Sequence, residues 1–190
     1  MTADDVARDS LLWVWAGGSN FVPAQFWNLY FLVSNPDAME AVRQEVDTIL
    51  SKRRPEDGPF DGTFTMDELE SMVKLESAFK ESIRLSMTAL IARTVMQDMT
   101  IDLKLSNTST RSSKYFLEKG SIMFMYPPIL HHDPTVFEQP KEYRWNRFYQ
   151  DETTGKAPKK FRTATGETIA DPFRVFGGGK PICVLAVNSP

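Results

Sequence analysis

Phe176-Gly177-Gly178-Gly179-Lys180-Pro181-Ile182-Cys183 contains the single cysteine of this 190-residue chain. A thiolate that ligates a metal must be kept deprotonated, and backbone N–H groups aimed at the sulfur do that. Three successive glycines let the backbone approach the sulfur closely. Phe176 stands seven positions before Cys183, where its ring can pack beside the sulfur and limit water access. By itself the stretch admits a second reading, a Gly-rich turn ahead of a small, buried, apolar cysteine. The rest of the chain has to choose between them.

Working back from the loop, the charged residues fall in a fixed order. Tyr143-Arg144-Trp145-Asn146-Arg147-Phe148 precedes it, then His131-His132-Asp133-Pro134, then Arg93, then Glu81-Ser82-Ile83-Arg84. Glu81 and Arg84 lie at i and i+3 and so share one helix face. Alone, such a pair reads as a solvated surface ion pair worth little. Adjacent His131 and His132 do not suggest a separate metal site, because neighbouring positions seldom converge on one ion. The basic residues Lys156, Lys159, Lys160 and Arg162 read as a solvated loop, with partner docking as the alternative.

Composition narrows the classes further. Apolar residues at 42% and charged residues at 25% describe an ordinary globular chain. A net charge of −3 offers no basic excess to neutralise phosphates, so no nucleic-acid partner is expected. One cysteine rules out an intramolecular disulfide, so nothing calls for an oxidising compartment. Met1-Thr-Ala-Asp-Asp lacks a basic region leading into an apolar core and predicts no signal peptide.

Long helices come first. Asp4-Asp5 are placed to cap a helix running to about Val33. Leu11 to Val33 carries no charge and is long enough to span a bilayer. Gly17-Gly18-Ser19-Asn20, Pro23, Gln25 and Asn28 would be costly in lipid, so a long buried helix with a functional break is expected instead. Pro23 cannot donate to the carbonyl of Ser19, which should loosen the helix there. Asn35-Pro36 marks a break, and the spacing of Met39, Val42, Val46 and Ile49-Leu50 predicts a helix over about 37–52. Residues 53–65 read as a loop, Thr65 to Glu68 as a capping box, and 73–85 as a further helix. Short β segments follow near 91–97, 99–105 and 121–125, with Ser106 to Ser113 as a polar hairpin-like connection. From Pro127 onward only short elements are expected. The fold class is therefore mainly α with a small β region.

At these residues the chain resembles the cytochromes P450. Lys80-Glu81-Ser82-Ile83-Arg84-Leu85 looks like the E-x-x-R helix of that family. Asn146-Arg147-Phe148 resembles the end of its P-E-R-F segment, and Phe176-x-x-Gly179-x-x-x-Cys183 matches its cysteine-loop signature. On the first helix, Ala16-Gly17-Gly18-Ser19-Asn20 stands where the family has A/G-G-x-acid-Thr, with Ser19 and Asn20 replacing the acid and the alcohol. An asparagine followed by proline there resembles the sterol 7α- and 12α-hydroxylase and prostacyclin synthase group. So do Phe26-Trp27, Asn35 to Met39 and Arg144 to Phe148.

The resemblance implies the C-terminal part of the cytochrome P450 fold, incomplete, with residues 1–190 as a partial haem domain truncated at both ends. It implies haem b with Cys183 as axial thiolate, pushing electron density to favour O–O cleavage. Phe176 and Gly179 would border the cofactor, and Arg93 and His131 would hold its propionates. Ser19 and Asn20 would serve the oxygen side, while Glu81, Arg84 and Arg147 would lock the cysteine-side core. The parent enzyme is expected to hydroxylate a sterol-like, apolar small molecule with electrons from an NADPH-dependent flavoprotein reductase. It would sit at the cytoplasmic face of the endoplasmic reticulum membrane through a segment absent here. A haem-thiolate isomerase is the first alternative. The second is an inactive product without haem, because Leu185 stands where the family has a glycine two residues after the cysteine. Trp13, Trp27 and Tyr30 would normally be covered, and exposing several such side chains forfeits several kcal/mol at about 25 cal/mol per Å². This chain alone is therefore expected to be poorly folded and inactive.

Overall fold

The computed structural model describes residues 2–53, 60–88, 90–104, 112–149, 161–162, 168–169 and 173–177. Helix α1 covers Ala3–Ser34 and α2 covers Pro36–Ser51. The short α3 spans Met66–Glu70 and α4 spans Val73–Ser86. Strands β1 (Ile91–Thr94), β2 (Met99–Lys104), β3 (Ser112–Leu117) and β4 (Ile122–Met125) follow, then one helical turn, α5, at Pro128–His131. Two-residue strands β5 (Phe161–Arg162) and β6 (Thr168–Ile169) complete the described elements. The chain is thus mainly helical with a small β region.

Local chemistry explains most of the helix bounds. Thr65 caps α3 by accepting from the Glu68 N–H, and the Glu68 carboxylate returns to the Thr65 N–H. Pro36 takes the first turn of α2, where a missing N–H costs nothing. At α1 the cap is Thr2, with Asp5 closing the box, and not Asp4-Asp5 as the charges suggested. An acidic side chain in the first turn reinforces a helix start, but the capping oxygen must come from the extended residue just before it.

Two expectations about α1 need correction. Its helical backbone continues through Pro23 without interruption. One missing hydrogen bond is a small loss in a ladder of 32 residues. The helix is also mostly exposed, with Asn28 and Leu32 as its buried residues. Leu11 to Trp15 are apolar at consecutive positions, so they run around the helix and no single neighbour could cover them. Among the described residues, no helix is long and apolar enough to cross a membrane.

The chain divides into two compact units. The first joins residues 1–87 to 130–175. Its apolar cluster consists of Leu32 from α1, Ala38 and Val42 from α2, and Ala78 from α4, flanked by Met39, Leu75, Tyr143 and Trp145. Phe31 stacks on Tyr143 with ring centres 4.8 Å apart. A polar tie adds to this, since the Ser82 hydroxyl lies 3.3 Å from Asn28 Oδ1. Glu45 of α2 accepts the N–H groups of Lys74 (2.7 Å) and Leu75 (3.0 Å). It thereby supplies the N-terminal cap that Met72, the residue preceding α4, lacks.

The second unit comprises residues 88–129 with 176–190. Strand β1 pairs antiparallel with β4, Ile91 opposite Met125 and Thr94 opposite Ile122. Strand β2 pairs antiparallel with β3, Met99 opposite Leu117 and Lys104 opposite Ser112. The strand at Ser112–Leu117 begins inside what the sequence suggested was connection, because Ser112-Ser113 carry no β signal of their own. Gly120, at φ +88, turns the chain so that its N–H reaches the carbonyl of the buried Val95.

Candidate functional site

Helix α4 carries the centre of the site. The 3.6-residue period puts Ser77, Glu81 and Arg84 on one face, and all three are buried. Glu81 and Arg84 are both 0% exposed, which overturns the reading of a solvated surface pair. Arg84 binds Glu81 through two parallel contacts, Nε to Oε2 at 2.8 Å and Nη2 to Oε1 at 2.9 Å. Oε1 of Glu81 also accepts from Arg147 Nε at 2.8 Å and from the Arg144 N–H at 3.1 Å. One carboxylate therefore answers two guanidinium groups.

The arginines use their other donors to hold the chain around them. Nη1 of Arg84 donates to the carbonyls of His131 (2.5 Å) and Pro140 (2.8 Å), and the guanidinium lies over the Phe137 ring. Arg147 donates to the carbonyls of Glu138, Gln139 and Glu142. Gln139 sits in the left-handed region at φ +46, a conformation that this fixed carbonyl helps to maintain. Ser77 completes the frame. Its hydroxyl donates to the Trp145 carbonyl at 2.6 Å and accepts the Phe148 N–H at 3.1 Å, pinning the turn that bears Arg147 at both ends.

His131 is fully buried, stacked on Phe173 and meeting Phe137 edge-on. Its Nε2 accepts the Arg174 N–H at 3.2 Å, which leaves the ring proton on Nδ1. That Nδ1–H is buried and has no hydrogen-bond partner among the described residues. Burial first, then the positive charges of Arg84 and His132, push the imidazole down to about 4, so the ring is neutral.

The other expected residues make contacts of their own. Arg93 is half-buried on β1, opposite Met123, and donates to the Ala92 carbonyl at 2.8 Å. It belongs to the second unit. On α1 the Asn20 amide donates to the Ala16 carbonyl at 2.9 Å, and the Ser19 hydroxyl reaches the same oxygen at 3.4 Å. A Cβ built on Gly17 or Gly18 would meet no atom within 4 Å. Phe176 is partly buried, and Gly177 has φ +87, a conformation that favours glycine. Gly179, Cys183 and Leu185 lie outside the described residues.

Sequence reasoning missed Ser77 and Glu45. Ser77 had one available signal, its position four residues before Glu81 on the same face. Glu45 had none, since its partners are backbone N–H groups 29 and 30 residues away.

The chain matches the family profile described as "Cytochrome P450" over residues 1–184. It is 40% identical to the 25-hydroxycholesterol 7-alpha-hydroxylase of Rattus norvegicus, covering 90% of this chain and 39% of that protein. It is 30% identical to the cholesterol 7-alpha-monooxygenase of Cricetulus griseus, over 96% of this chain and 35% of that protein. The same identity and the same coverage relate it to the prostacyclin synthase of Bos taurus. The chain thus spans little more than a third of the length of these relatives.

Proposed function

The chain belongs to the cytochrome P450 family, and on that premise we propose that it is part of the haem domain of a monooxygenase that hydroxylates a sterol-like, apolar substrate. The observation that carries the reading is the 40% identity, across 90% of the chain, to a protein named 25-hydroxycholesterol 7-alpha-hydroxylase. Electrons would come from an NADPH-dependent flavoprotein reductase, and the whole enzyme would work at the cytoplasmic face of the endoplasmic reticulum membrane.

The residues present suit a haem. The sequence has a single cysteine, and among the described residues no group of three or more His, Cys, Asp or Glu is placed to hold a metal ion. One thiolate is enough for an iron that brings four nitrogens of its own. The buried Nδ1–H of His131, without a hydrogen-bond partner among the described residues, is a donor suited to a carboxylate. When bound through Cys183, haem iron supplies the activation of dioxygen for insertion into a C–H bond. The chain's own residues bind and orient. Arg93 would pair with one propionate, its guanidinium having five donors of which one goes to Ala92. His131 would donate to the other. Phe176 would shield the thiolate from water, and Gly179 would allow the backbone close to the ring. Ser19 and Asn20 would offer hydrogen bonds on the oxygen side, where an amide replaces the usual alcohol. Glu81, Arg84 and Arg147 would keep the turn at 138–148 fixed on α4 in one arrangement.

The 30% identity to a prostacyclin synthase favours a second reading, a haem-thiolate isomerase that needs no external electrons. Reconstitution with haemin, reduction and carbon monoxide addition tests the common premise. A strongly red-shifted Soret band that is lost in Cys183→Ser is the expected result. Its absence would point to a product that does not hold haem. Turnover with a peroxide substrate but none with reductase would select the isomerase.

A further inference from the structure

We propose that His131 is a positioning residue that joins the Glu81–Arg84–Arg147 cluster to the chain entering the cysteine loop. It acts through two different groups. Its backbone carbonyl accepts Nη1 of Arg84 at 2.5 Å, and its ring Nε2 accepts the Arg174 N–H at 3.2 Å. Arg174 stands nine residues before Cys183, so the second bond grips the segment that leads into the loop. The residue next to it, Phe173, stacks on the same ring with centres 6.0 Å apart. Phe137, over whose ring Arg84 lies, closes the other side edge-on.

A single buried residue thus ties two distant stretches together with a fixed geometry. A hydrophobic side chain could fill the aromatic cage, but it would leave the Arg174 N–H without its acceptor. A lysine or arginine would place a donor against a donor. Only a side chain with an acceptor at the position of Nε2 serves. The imidazole does so in its neutral Nδ1–H form, which keeps Nδ1–H available on the far side of the ring. The link to a cysteine-bound cofactor rests on the function proposed above. The clamp itself does not.

The test compares amide hydrogen exchange, by mass spectrometry, in the full chain and in His131→Ala and His131→Gln. The Gln side-chain carbonyl can reach the place of Nε2. In His131→Ala, peptides spanning residues 173–177 should exchange up to about tenfold faster, the loss of one net hydrogen bond, while α2 stays as protected as before. His131→Gln should restore most of the protection. Unchanged exchange in the alanine variant would overturn the proposal. So would a glutamine variant as fast as alanine, or a segment already unprotected in the unsubstituted chain. In the haem-loaded chain, the red-shifted carbon monoxide band should weaken in His131→Ala and recover in His131→Gln. An equal band in both would sever the link to the loop. No red-shifted band in any variant would remove the haem reading, with the exchange data still deciding the clamp.

Discussion

Replacing Glu81 by methionine is expected to destabilise the chain more than replacing Arg84 by methionine, although both substitutions break the same ion pair. The cluster holds one carboxylate and two guanidinium groups, on side chains 0% (Glu81), 0% (Arg84) and 7% (Arg147) exposed. Without Glu81, two buried cations face each other with no counter-charge. Removing one partner of a buried pair costs about 3–5 kcal/mol, and the second stranded cation puts this case at the upper end. Without Arg84, Glu81 keeps Arg147 at 2.8 Å and the Arg144 N–H at 3.1 Å, so the charge remains matched. The loss there is the donors to the carbonyls of His131 and Pro140, together about 3 kcal/mol. The two variants should therefore differ by about 2 kcal/mol. Urea unfolding followed by tryptophan fluorescence can read this, because Trp145 packs against the apolar cluster. With a slope of about 2 kcal/mol per molar urea, the midpoints should lie about 1 M apart, Glu81→Met being lower. Coincident midpoints, or Arg84→Met as the weaker variant, would refute the charge-count argument.

Two further outcomes follow from the same interior. His131 has an ordinary value of 6.5 and is held at about 4 in the fold, so the unfolded chain takes up a proton first as the pH falls. The contribution of His131 to stability should be full above about pH 7, fall as pH drops through the interval from 6.5 to about 4, and be lost below it. The total loss should be at most about 3 kcal/mol; urea midpoints across this range should be flatter for His131→Gln, and equal slopes would argue against the assignment. Ser77→Ala removes a donor and an acceptor from a side chain that is 2% exposed. It should cost about 2 kcal/mol, and an unchanged Tm would mean that the turn at 145–148 holds without it.

Local features were legible in the sequence wherever the cause was local. Pro36 and the Thr65–Glu68 box mark helix starts because their partners lie within three residues. The helices at 37–52 and 73–85 were visible through the period of their apolar residues, within a residue or so at each end. The ordered motifs pointed to the family, which the profile match then established. Two local readings still failed. Thr2, not Asp4-Asp5, caps α1, and the proline in that helix does not interrupt it.

Partners far apart in the chain were decided by the tertiary structure alone. Spacing put Glu81 and Arg84 on one face but could not say that the face is buried, and burial separates a negligible surface pair from a costly interior one. The contact between Glu81 and Arg147 crosses 66 residues, and the Glu45 cap on α4 crosses 29. The same holds for Ser77, an unremarkable serine until the turn at 145–148 closes over it, and for Ser112–Leu117, a strand because β2 lies beside it. Sequence patterns record the preferences of neighbouring residues. Burial and long-range pairing arise only when the whole chain has folded and removed water from between those groups.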